Sequence, residues 1–201
     1  MAGALVPLAL IAPLDIKSSD GNLNSRRDVS IRKAYNFAAV ASLLSELLAV
    51  MWASVAVNQL TETDVKLVKS VWDLLQDDYS LHWSAVNAHS VLGSYGFAFC
   101  IGCRAYFHAG KGILGTGLVS LALSGLLLMT SIVNRAIEAG GGDGVHRYGT
   151  NVIALFHKYT TLLLSRASEG GALGLLQMGS LLVGAAGIVL CLGSIMGVDE
   201  K

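Results

Sequence analysis

Two hundred and one residues, 53% hydrophobic and only 14% charged, with 23 glycines and no net formal charge, lie outside the ordinary composition of water-soluble domains. Balanced charge gives no electrostatic footprint for nucleic acid, so no nucleic-acid partner is expected, and the implied solvent is a lipid bilayer. Three cysteines within apolar runs, Cys100, Cys103 and Cys191, read as small packing residues rather than a disulfide framework.

In chain order, residues 1–34 form an arm. Its first part, 1–14, is apolar but lacks a basic start and is interrupted by Pro7 and Pro13, so it reads as an extended or interfacial segment rather than a secretory signal or a span. A turn-rich linker over 17–24 follows, then the basic cluster Arg26, Arg27, Arg32 and Lys33. The first apolar stretch, 35–60, has this cluster upstream and Glu62, Asp64, Asp73, Asp77 and Asp78 downstream. That asymmetry puts the N-terminus on the cytosol, stroma or matrix side.

Residues 62–77 repeat Val65, Val68, Val71, Trp72 and Leu75 at helical spacing after a Thr61/Asp64 cap, predicting a short helix on the membrane surface. Trp72 and Trp83 are expected at headgroup depth there, with Tyr35 and Tyr106 at the opposite interface. A second span is expected over 83–107 and a third over 113–137, and the tight Gly- and Lys-containing turn between them makes them antiparallel. At about 1.5 Å per residue, each stretch can cross a hydrocarbon core of about 30 Å with some tilt.

The glycine run Gly140, Gly141, Gly142 and Gly144 lacks the Lys-Ser/Thr of a phosphate-binding loop and reads as a hinge. Over 151–167 the residues Val152, Leu155, Phe156, Tyr159, Leu162 and Leu163 share one face, while His157, Lys158, Thr161 and Ser165 lie largely on the other. A one-sided stripe predicts a second interfacial helix, not a span. The last span, 173–198, carries Gln177 as its strongly polar residue and precedes the charged tail 199–201. The expected architecture is all-α: a single domain over 35–198 built as a four-transmembrane-helix bundle with two short interfacial amphipathic helices, both termini on one side. No internal repeat supports an inverted-repeat transporter.

Few groups inside the spans carry chemistry. Glu46 lies mid-span on a face with Ser42, Ser45, Ala49, Ala53 and Ala56, and a carboxyl at that depth costs several kcal/mol unless protonated or partnered, so it must face the bundle interior. His82, His89, Gly96 and Cys103 recur every seven residues with Val86, Gly93 and Cys100 between them, a small and polar seam. An imidazole two turns inside, at His89, needs a carboxylate, a carbonyl or a metal. One intramembrane histidine does not make a bis-histidine haem site, whereas a chlorophyll magnesium takes one axial ligand, for which His89, Glu46, Asn87 and Asn134 are the candidates; an unliganded structural histidine is the competing reading. The Cys100/Cys103 pair lacks the second pair of a zinc site.

With no nucleophile or metal constellation, an enzyme is not expected. The expectation is a non-enzymatic subunit of a larger energy-converting complex, photosynthetic or respiratory, in a thylakoid or mitochondrial inner membrane. Its partners would be other membrane subunits and the bilayer, with chlorophyll, carotenoid or lipid as possible cofactors. The alternative is a small oligomeric channel or transporter with Glu46 and His89 on its pathway.

Overall fold

A computed structural model describes residues 26–62, 79–109, 112–139, 151–168 and 171–196. The expected surface helix over 62–77, the glycine run and the tail lie outside them, apart from Glu62 at the end of the first helix. Every described element is helical: α1 (Arg26–Glu62), α2 (Ser80–Ala109), α3 (Ile113–Ala139), α4 (Val152–Ser168) and α5 (Gly171–Ile195). Three of them, over Asp28–Glu62, Ile113–Asn134 and Gly174–Ile195, are long and apolar enough to cross a membrane.

The helix α1 begins at Arg26, so the basic cluster is its first turns rather than part of an arm ending at residue 34. Arginine and lysine have good helix propensity, and an apolar stretch already committed to helix extends through them without a further nucleation cost. Asp28 adds a favourable charge in the first turn.

At 30 residues α2 is long enough to span, but serine, histidine and asparagine fill its first half, which lowers its apolarity. Its polarity matches its place. It packs antiparallel on α1, with Ser42 opposite Gly93 and Tyr35 opposite Cys100. It packs antiparallel on α3 as well, where Tyr95 meets Thr130 at 2.6 Å and Gly102 meets Ala122. Its third neighbour is α4, through Ala88 and Leu155. Sequence periodicity predicts one small-residue seam on α2; instead Leu81, Ala85, Ala88, Val91, Gly93, Ala98 and Cys100 are buried among three neighbours.

Helix α4 is found one residue displaced from its expected bounds, and the predicted stripe is its inward face. Leu155 is buried and Val152, Phe156, Tyr159 and Leu163 are partly so, while His157, Thr161 and Ser165 are exposed. At its far end the chain turns so closely that a Cβ on Gly174 would lie 2.8 Å from the Ala167 carbonyl oxygen, which is why glycine stands there. Helix α5 then returns along α1, and the Lys33 ammonium donates to the Ser194 carbonyl at 3.0 Å, satisfying one of the last carbonyls of the helix. The Lys33 region of α1 and the end of α5 are therefore neighbours.

Tyr35 stands at the end of the bundle expected for it but points inward, not to the headgroups. It is fully buried against Ala39 and Cys100, and its hydroxyl is hydrogen-bonded to Arg104.

Candidate functional site

The interface between α1 and α2 is made by subtraction of side chains. Ser42, Ser45 and Ala49 are buried on α1, and Ser42 faces Gly93 and Gly96 on α2. A Cβ on Gly96 would come within 3.0 Å of the Ser42 Cβ and 3.2 Å of the Ala38 carbonyl oxygen. One on Gly93 would lie 2.8 Å from the Glu46 Cδ. Gly93 thus creates the space that Glu46 occupies, and the Ser42 hydroxyl donates to the Gly93 carbonyl at 2.6 Å beside it. Glu46 does face the bundle interior, where its carboxyl lies against the α2 backbone.

His89 belongs to a different cluster, toward the end of the bundle where α4 lies. Its Nε2 and the Tyr159 hydroxyl are hydrogen-bonded at 2.9 Å, with the rings edge to face at 5.2 Å. The Trp52 indole N–H donates to the same hydroxyl. One phenol therefore joins α1, α2 and α4. Burial raises the Tyr159 pKa, and the indole bond opposes the rise. The Nδ1 of His89 is buried without a hydrogen-bond partner among the described residues, as are His82 Nδ1 and Ser84 Oγ. Sequence periodicity singled out His89 and put Tyr159 on the apolar stripe of the 151–167 helix, but it did not single out Trp52 or pair the three side chains.

Tyr159→Phe is expected to cost about 2 kcal/mol, because it strands two partly buried polar groups at about 1–3 kcal/mol each with partial relaxation. Adding Trp52→Phe should cost little more, since the partner is already gone. Thermal unfolding of the two variants in detergent reads this coupling.

His82, just before the expected second span, packs edge to face on Trp52 at 5.2 Å and against Tyr79 at 5.7 Å. Burial, and secondly the Arg166 charge, hold its pKa below the usual 6.5. The unfolded chain therefore takes up this proton at a higher pH than the folded one. The stabilising contribution is complete above pH 6.5 and declines on acidification below it. Melting curves from pH 7.5 down to pH 5 should show a falling midpoint for the wild type and a shallower fall for His82→Gln.

Each of the remaining candidates makes one side-chain hydrogen bond. The Asn87 amide donates to the Trp83 carbonyl at 2.8 Å, one turn back on its own helix. Asn134 Oδ1 accepts the Val152 N–H at 2.9 Å, and Asn151 Oδ1 accepts the Ala154 N–H at 2.9 Å, so two asparagines cap α4. The four candidate ligands thus occupy separate environments rather than one cavity wall. Cys100 and Cys103 are free thiols, the first buried and 3.8 Å from the Tyr35 carbonyl oxygen. Among the described residues no group of three or more His, Cys, Asp or Glu side chains converges as a metal site would require.

A separate feature lies at the Arg26 end. There α1, α2 and α3 diverge around an apolar groove of about 450 Å³, lined among others by Ala34, Ala98, Gly102, Phe107 and Val119. Compared with known proteins, the chain matches no family, no curated protein and no solved structure.

Proposed function

We propose that this chain is a non-enzymatic, four-span subunit of a larger membrane assembly, with α2 as the fourth span and α4 lying at the interface. In this reading α4 and α3 engage the His89 and Tyr95 side chains and Ser84 is buried, so a helix of modest apolarity is stable in lipid. The basic first turns of α1 lie on the cytosol-like side, together with the end of α5.

The observation that carries the docking role is α5. None of its apolar window is buried. Its Ser180, Gly184, Gly187 and Cys191 lie along one exposed face, and a Cβ on Gly184 or Gly187 would meet nothing within 4 Å. Each interior glycine costs about 1 kcal/mol of helix propensity relative to alanine. Gly174 is accounted for by Ala167, but among the described residues Gly184 and Gly187 have no such reason. Lipid tails do not require close backbone approach; a neighbouring helix does.

Blue-native electrophoresis of gently solubilised membranes tests the proposal. Migration with a much larger assembly, lost in Gly184→Leu/Gly187→Leu while the chain's own melting temperature holds, supports it. A monomer at native expression contradicts it. A channel lined by Glu46 and His89 is the weaker reading, because Glu46 packs on Gly93 and His89 bonds Tyr159 instead of opening on a shared polar path.

A further inference from the structure

The groove between α1, α2 and α3 has dimensions that can be compared with the bilayer. On α2 its lining runs from Ala98 to Phe107 and on α3 from Thr116 to Leu126. At about 1.5 Å per residue, both walls are about 14–15 Å long. One leaflet contributes about half of a core about 30 Å thick, so the groove reaches from one headgroup layer to roughly the midplane. Its volume, about 450 Å³, falls within the range of about 300–1,000 Å³ typical of small-molecule sites.

The opening of this space follows from the residues. Ala34, Ala98, Gly102 and Ala122 place minimal side chains where three helices meet, and Gly102 approaches Ala122 so closely that an added Cβ would lie 3.2 Å from the alanine Cβ. Larger residues, Phe99, Val119 and Leu123, form a partly exposed rim on the lipid side. Aliphatic and aromatic carbon dominates the wall, so an apolar guest is favoured and water gains few partners there.

The headgroup end has the opposite character. Arg104 is exposed next to the lining residue Cys103, and Arg32 is exposed next to the lining residue Ile31. Arg104 gives a hydrogen bond to Tyr35 and carries a permanent positive charge. Lys33 adds to the basic character, and Asp28 is the described acid at this end.

We infer that this groove binds one acyl chain of an anionic glycerophospholipid, with the phosphate at Arg104 and Arg32. Charge selects this occupant: the two exposed arginines favour a phosphate with no compensating headgroup cation, whereas the choline ammonium of a zwitterionic lipid offsets that attraction and a purely apolar pigment tail leaves the basic rim unused. The inference rests on the membrane reading of the chain and not on partner docking through α5.

The test uses the full chain purified in detergent and a phosphatidylglycerol carrying a photoactivatable diazirine in one acyl chain. Labelling is expected to concentrate on peptides covering 98–107 and 116–126. Val119→Trp, which fills the groove from its rim, should lower that labelling at least tenfold without changing the diffuse labelling of α5. Arg104→Gln should lower labelling by the phosphatidylglycerol probe but not by the matching phosphatidylcholine probe. Ala98→Phe provides a second filled groove, and the melting temperature of each variant shows that it is folded. Even labelling of groove and α5, or labelling unchanged in both filled variants, overturns the inference. Equal labelling by the two headgroups overturns it as well. So does groove labelling that appears only when residues 1–14 are deleted, because the chain's own apolar arm is then the occupant.

Discussion

Replacing Gly96 with leucine is expected to break the α1–α2 interface. A single Cβ there already lies 3.0 Å from one side-chain carbon and 3.2 Å from a backbone oxygen, so a leucine cannot be seated by moving a flexible tip. The α1 backbone must retreat, and it takes with it the Ser42 hydroxyl that reaches the Gly93 carbonyl. Overpacking of this kind costs about 1–3 kcal/mol, and loss of the neighbouring hydrogen bond adds about 1 kcal/mol. For a chain of this size that corresponds to a melting temperature lower by roughly 5–10 °C in detergent. The matched control is Gly125→Leu, where nothing lies within 4 Å of the new Cβ. That variant should melt at or slightly above the wild-type temperature, because leucine is the better helix former.

The second large effect concerns Glu46. Glu46→Gln keeps the volume and the hydrogen-bonding capacity of the side chain that fills the space beside Gly93, and is expected to cost less than about 1 kcal/mol. Glu46→Lys places a longer, fixed cation in the same packed space. A lysine at the centre of a membrane helix costs about 2.5–3.5 kcal/mol, before the steric conflict with α2 is counted. The expected outcome is near-normal accumulation of the glutamine variant and strong loss of the lysine variant, measured as folded protein recovered from membranes. A glutamine variant as damaged as the lysine one would show that the carboxylate itself is required, and would make Glu46 a functional group rather than a packing group.

These two residues also mark what was legible in the sequence. The inward face of α1 could be read directly, because Ser42, Ser45, Glu46 and Ala49 repeat at helical spacing against exposed Val40, Leu44, Leu47 and Met51. The one-sided stripe of α4 was legible for the same reason. The long helices were located to within a few residues, except that α1 begins in the basic cluster, where apolar periodicity has nothing to detect. The relations between helices were not legible. His89 and Tyr159 are 70 residues apart, and no local pattern pairs an imidazole with a phenol at that separation. Asn134 read as a ligand candidate because it closes an apolar stretch, yet its acceptor oxygen caps a helix that starts 18 residues later. Tyr35 read as an interfacial anchor by composition, and only the packing of Cys100 and Ala39 turns it inward.

The central claim is that α2 crosses the membrane, with its His89 and Tyr95 side chains engaged by α4 and α3. The direct measurement is accessibility from the two sides, with Cys100, Cys103 and Cys191 replaced by alanine and a single cysteine introduced as Ser80→Cys or His108→Cys. In sealed, oriented vesicles, a membrane-impermeant maleimide is predicted to label one of the two from the outside and the other only after the vesicles are opened. Labelling of both positions from the same side would contradict the account.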